Sequence, residues 1–156
     1  MSFLKCALYA LILGLSSFVL GRLLPRSWFP EDHFPYKCYP WEKNGGFYQK
    51  FGILKWQAKV PDMSKIFPKL IQAKKVTSKF DKELPTMITE TCIAEWIHVI
   101  LCLLILPCLW LWPGPGGIVF VVLYIFGNIP FIMIQRYNRP RLVRLRNKIV
   151  RNGKEK

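Results

Sequence analysis

PTMITETCIAEWIHVILCLLILPCLWLWPGPGGIVFVVLYIFGNIPFIMI, residues 85–134, decides the architecture. It holds two acids, Glu90 and Glu95, one histidine, His98, and no lysine or arginine. Each half comes close to the roughly 20 apolar residues that cross a bilayer core. Between them Pro113-Gly114-Pro115-Gly116-Gly117 cannot continue a helix, because proline lacks the N–H and glycine favours turns; a tight hairpin is expected there. Two spans follow, about 88–112 with Pro107 as a kink, and about 118–134 with Gly127 and Pro130 disturbing it. The first turns before residue 88 are expected to stand in the interface.

A third span is expected at about 3–24, framed by Lys5 and Arg22. A cleaved signal peptide would end at small residues, whereas Leu23 and Leu24 are bulky, so the block reads as an uncleaved anchor. Residues 25–85 are polar, lysine-rich and aromatic, with Pro25, Pro30, Pro35 and Pro40 forbidding a long helix. After a break at Asn44-Gly45-Gly46, Phe47, Phe51, Leu54 and Ala58 recur at helical spacing among Lys50, Lys55 and Lys59, as in an amphipathic helix resting on a membrane. Pro61-Asp62 ends it, and a second apolar stripe follows at Met63, Ile66, Phe67, Leu70 and Ile71, interrupted by Pro68. The tail, 135–156, is strongly basic.

The chain of 156 residues has room for a single membrane domain. Its 52% hydrophobic content and its formal charge of +14 are reconciled by position, since the cations sit between and after the apolar blocks. Membrane topology and anionic lipid account for that charge, and no nucleic-acid partner is expected. The five cysteines show no CxxC pairing and lie mostly in apolar segments, which indicates neither a disulfide framework nor a zinc site. Both basic segments belong on the cytoplasmic side, so three spans require the N-terminus outside. The fold class is therefore an all-α membrane protein: three transmembrane helices with an interfacial, partly helical cytoplasmic segment.

Hairpin geometry locates a candidate site. Glu95 lies about 20 residues before the turn and Gln135 about 20 residues after it, so at roughly 1.5 Å per residue the two share a depth. Thr91, Glu95, His98 and Cys102 form one helical face; Asn128, Ile132, Gln135 and Arg139 form the facing one. A carboxylate at such a depth costs roughly 2.5–3.5 kcal/mol at mid-span, which makes an ionisable residue there a functional candidate. Two readings stand: Glu90 and Glu95 neutralise Arg136 and Arg139 and pin the hairpin, or they serve a reaction.

Some chemistries do not fit. Glu95-x-x-His98 is half a di-iron motif without its second half, so no metal is expected. There is no G-x-S-x-G elbow, and neither His33 nor His98 has an aspartate five residues on. Cys92 points about 120° away from His98 and reads as a small core residue.

The strings ETCIAEWIH (90–98), NIPFIMIQRYNRPRL (128–142) and, more loosely, EKNGGFYQKFGILKW (42–56) resemble the glycosyl-4,4'-diaponeurosporenoate acyltransferases, bacterial enzymes of staphyloxanthin-type carotenoid synthesis. The resemblance implies transfer of a fatty acyl group to a sugar hydroxyl of a glycosylated carotenoid or related glycolipid in the bacterial cell membrane. The physical parts suggest roles for that chemistry. His98 is the expected general base, with Glu95 or Glu90 orienting it. Asn128 or Gln135 is placed to stabilise the oxyanion. Arg136, Arg139 and Arg141, with Tyr137 and Asn138 beside them, are expected to hold the acceptor and the phosphates of an acyl-CoA or acyl-carrier-protein donor, a co-substrate and not a bound cofactor. The rival reading is a non-catalytic membrane adaptor for a lipid-synthesis pathway.

Overall fold

The computed structural model describes residues 1–60 and 80–154, with the backbone alone for 80–82 and 153–154. The apolar stripe over 63–71 and the break at Pro61-Asp62 lie outside the described residues. Helices dominate and no strand occurs among the described residues. In chain order they are α1 (Ser2–Leu23), the short turns α2 (Gly46–Gln49) and α3 (Ile53–Trp56), then α4 (Phe80–Leu104), α5 (Cys108–Leu111) and α6 (Pro115–Lys154). Three stretches are long and apolar enough to cross a membrane: Ser2–Leu23, Glu83–Leu111 and Pro115–Asn152. This is an all-α membrane protein.

Pro107 interrupts the second span as its chemistry requires. The helix stops at Leu104 and resumes at Cys108, with 3-10 type bonds between. The Leu104 carbonyl, left without its helical donor, accepts from the Tyr9 hydroxyl at 2.8 Å. The hairpin then turns through Trp112–Gly114, with Gly114 at φ 99°. Pro115 opens α6 at the position where a missing N–H costs nothing. Gly117 packs so closely on the Trp112 carbonyl that a Cβ there would collide with backbone.

The third helix continues past the end of its apolar stretch, as the shared face of Asn128, Gln135 and Arg139 requires: α6 runs for 40 residues through Pro130 and Pro140, about 60 Å. Each proline deletes one ladder donor, but arginine, leucine and lysine are good helix formers and the ladder resumes. One expectation is corrected: the amphipathic segment after residue 46 is not a single helix. Gly52 at φ 67° reverses the chain between α2 and α3, which a helix cannot tolerate. Its inward residues are Tyr48 and Ile53, packed on Tyr137, while Phe51 and Leu54 from the expected stripe stay exposed.

α4 and α6 form an antiparallel pair, and α1 crosses it. At the hairpin end Phe3 meets Trp112 edge-on at 5.9 Å, and Cys6, Ile105, Cys108 and Val121 make a buried cluster. At the other end Gly21 lies against Ile97 and Ile93. α1 is thus antiparallel to α4. This sets its start beside the hairpin and residues 25–60 beside the second half of α6. The outer face of α1, including Leu4, Leu8, Leu15 and Leu23, is exposed apolar surface suited to lipid.

Candidate active site

The α4–α6 seam has two edges with different characters. One is closed by the 29–59 segment. Pro40 starts a 3-10 turn, Pro40–Gly45, in which Glu42 reaches back to accept the Tyr39 N–H at 2.7 Å. Lys43, Asn44 and Gly45 follow with positive φ. At Gly45 a Cβ would stand 2.9 Å from the Tyr137 carbonyl, so only glycine lets the turn approach α6 this closely. The approach delivers Glu42 to Arg136.

Arg136 is then saturated. Its Nε donates to Glu42 Oε1 at 2.5 Å and its Nη2 to Glu42 Oε2 at 2.8 Å. Its Nη1 donates to Glu95 Oε1 at 2.7 Å and to the Pro35 carbonyl at 3.0 Å, and its Nη2 also reaches the Lys37 carbonyl at 3.2 Å. Arg139 makes four such bonds: Nε on Thr91 Oγ1 at 2.9 Å, Nη1 on the Tyr36 carbonyl at 2.8 Å, and Nη2 on the Thr91 carbonyl at 3.0 Å and on Glu95 Oε2. Two carboxylates face two guanidinium groups, so this buried cluster is neutral as a whole. Burial alone would raise the Glu42 carboxyl. The bonds from Arg136, from the Tyr48 hydroxyl and from the Tyr39 N–H outweigh it and hold the group below its usual range. Glu42 escaped notice as a site residue in the sequence, although it opens the string 42–56; its partner lies 94 positions away.

The other edge is open. His98 Nδ1 and Asn128 Oδ1 are 2.8 Å apart, and the imidazole stacks on Phe131 with ring centroids 4.6 Å apart. Asn128 Nδ2 donates to the Tyr124 carbonyl at 2.9 Å, which identifies Oδ1 as the acceptor toward His98. A neutral His98 therefore carries its proton on Nδ1 and keeps a lone pair at Nε2. Along the same seam a groove of about 440 Å³ is lined by Met87, Thr91, Gln135, Asn138, Arg141, Leu142 and Leu145. Met87, Thr91, Ala94 and His98 share one stripe of α4, and Phe131, Gln135, Asn138, Leu142 and Leu145 share one of α6. The groove and the imidazole thus occupy one edge, about 10 Å apart along the helix. The Gln135 and Asn138 amides make no hydrogen bond among the described residues.

The expected facing surfaces meet at Thr91–Arg139, Glu95–Arg139 and His98–Asn128. The orienting contact expected from Glu95 or Glu90 to His98 is not made. Glu95 takes both arginines, and Glu90 pairs with Arg26 at 2.8 Å on the surface. Tyr137 is a core residue with 1% exposure, and its hydroxyl accepts from Arg141 at 2.8 Å. Of the expected binding residues, Gln135, Asn138 and Arg141 line the groove, while Arg136 and Arg139 form the sealed edge.

Residues 25–148 match the family model described as glycosyl-4,4'-diaponeurosporenoate acyltransferase. Curated proteins of that name from Staphylococcus aureus are similar along nearly the whole chain. The protein of strain MRSA252 is 34% identical over 95% of this chain and 90% of the relative, and that of strain bovine RF122 / ET3-1 is 33% identical over the same shares. No solved structure matches. An acyltransferase family leaves the adaptor reading without support, and the matched span includes both edges of the seam. The chain belongs to the glycosyl-4,4'-diaponeurosporenoate acyltransferase family.

Proposed function

We propose that this protein transfers a fatty acyl group from a thioester donor to a sugar hydroxyl of a membrane-embedded carotenoid glycoside or a close glycolipid analogue. The observation that carries this reading is the Nε2 lone pair of His98, its ring fixed by Asn128 on the same edge of the seam as the groove that Gln135, Asn138 and Arg141 line. The sugar spans this edge from the groove to His98, and the unpaired amides of Gln135 and Asn138 offer donors and acceptors suited to its hydroxyl groups. His98 Nε2 takes the hydroxyl proton as the sugar oxygen bonds to the thioester carbonyl carbon. Collapse of the tetrahedral intermediate breaks the C–S bond, and His98 returns the proton to the departing thiolate. Both polar atoms of the Asn128 amide are engaged in holding the ring, so Gln135 is the amide left to stabilise the oxyanion. Arg141 stands at the groove rim for an anionic part of the donor. Arg136, Arg139, Glu42 and Glu95 brace the opposite edge. Tyr137 supports the seam from within.

Lipid extracts from cells with and without the gene, compared by mass spectrometry, test this. Loss of the gene is expected to remove the fatty-acylated glycoside and to accumulate the same glycoside one acyl group lighter. An unchanged acylated pool would refute the reading.

Orientation belongs to the same proposal. The lysine- and arginine-rich segment after α1 and the second half of α6 face the cytoplasm of the bacterial cell, and the start of α1 and the hairpin face outside. The groove mouth then opens where thioester donors are made. On a cysteine-free background, Gly153→Cys is expected to react with a membrane-impermeant maleimide only after permeabilisation. Labelling from outside intact cells would reverse the arrangement.

A further inference from the structure

Counting about 20 residues from Pro115 for a bilayer core of roughly 30 Å brings α6 to Gln135. Its remaining turns, as far as Lys154, extend the same helix by about 30 Å. Headgroup layers are thinner than that, so a helix continuous with its own span carries its last turns clear of the lipid surface. On that projection Arg141, Arg144, Lys148 and Arg151 recur at i, i+3, i+7 and i+10, along one ridge about 15 Å long, and all four are exposed. None forms an ion pair among the described residues. Arg144 makes only long contacts to the Pro140 and Asn44 carbonyls, and the neighbouring Arg146 is turned aside to Glu31. The ridge begins at Arg141, which lines the groove.

We infer that this ridge is the docking surface for a small acidic protein that delivers the acyl chain on a thioester, and that such a carrier, not a free nucleotide thioester, is the donor. The inference rests on the acyl-transfer reading and assigns its donor. Free charge repeated over about 15 Å matches the extended acidic face of a protein better than a single phosphate cluster, and its height above the membrane disfavours lipid headgroups. Complementary rim charge of this kind governs encounter and depends on salt. From the ridge, a flexible thioester arm is directed down the groove toward His98.

The test uses the full chain in nanodiscs of neutral phosphatidylcholine. Its probes are a fluorescent acidic acyl-carrier protein loaded with a fatty acyl chain, acyl-CoA, and phosphatidylglycerol vesicles. The variant is Arg144→Glu/Lys148→Glu/Arg151→Glu, which leaves the groove residue Arg141 in place. Carrier affinity is expected to fall at least about tenfold in the variant, and steeply with salt in the wild type. Transfer from acyl-CoA, slower in the wild type than transfer from the carrier, is expected to stay within about twofold in the variant. Carrier binding that is indifferent to the reversal, or a wild type that prefers acyl-CoA, would overturn the inference. Selective loss of phosphatidylglycerol binding would do the same by naming lipid as the occupant. Charge-dependent carrier binding without transfer from any donor would support the docking surface and count against the reaction.

Discussion

His98→Ala is expected to reduce acyl transfer by about 10²–10⁴-fold, the usual contribution of a positioned general base, while the amount of protein in the membrane stays close to wild type. The side chain is only half-buried and its one polar partner is Asn128, so its removal leaves no charge stranded. His98→Gln is expected to be nearly as inactive, because an amide can keep the contact to Asn128 but cannot accept a proton at the Nε2 position. Asn128→Ala separates orientation from chemistry. The base remains, but its tautomer and ring plane are no longer set, so turnover should fall while donor affinity holds. Turnover numbers normalised to folded protein provide the readout. Substantial activity in His98→Gln, or a parallel fall in abundance and activity, would return the imidazole to a structural role.

Arg136→Gln is expected to be the most damaging substitution for the fold, at about 3–5 kcal/mol, because it strands Glu42 and half of Glu95 in a buried setting. Arg136→Lys should rescue little. One ammonium cannot serve both carboxylates and the carbonyls of Pro35 and Lys37 as the planar guanidinium does. The instructive variant is the double one, Glu95→Gln/Arg136→Gln. An isolated ion pair would recover when both partners lose their charge. Here the cluster has four members, so the double variant still leaves Glu42 and Arg139 buried apart, each without its charged partner. No recovery is expected in membrane abundance or in thermal stability after solubilisation. Restoration to near wild type would show that Glu95 and Arg136 act as a simple pair. The same geometry bears on Glu95→Gln: stability and activity should fall together, since this carboxylate holds the wall of the seam and does not touch the imidazole.

The sequence by itself determined the three spans, the hairpin, the shared depth of Glu95 and Gln135, and the family that supplies the reaction class. Each depends on local quantities: a run of apolar residues against a bilayer of fixed thickness, a proline–glycine string that breaks the helix, and a rise per residue that converts counting into depth. The facing of Thr91, Glu95 and His98 with Asn128 and Arg139 followed from the same arithmetic. Tertiary structure alone decided which partner each charge takes. Helical spacing assigns a side chain to a face, but the path of the 29–59 segment decides which edge of that face is covered. The segment brings Glu42 and the carbonyls of Pro35, Tyr36 and Lys37 onto Arg136 and Arg139, between 94 and 103 positions away. Those contacts close one edge, draw Glu95 away from His98 and leave the imidazole to Asn128. The length of α6 beyond Arg139 was likewise outside the reach of hydropathy, because a polar helix carries no apolar signal and its length rests on backbone hydrogen bonds that composition does not record.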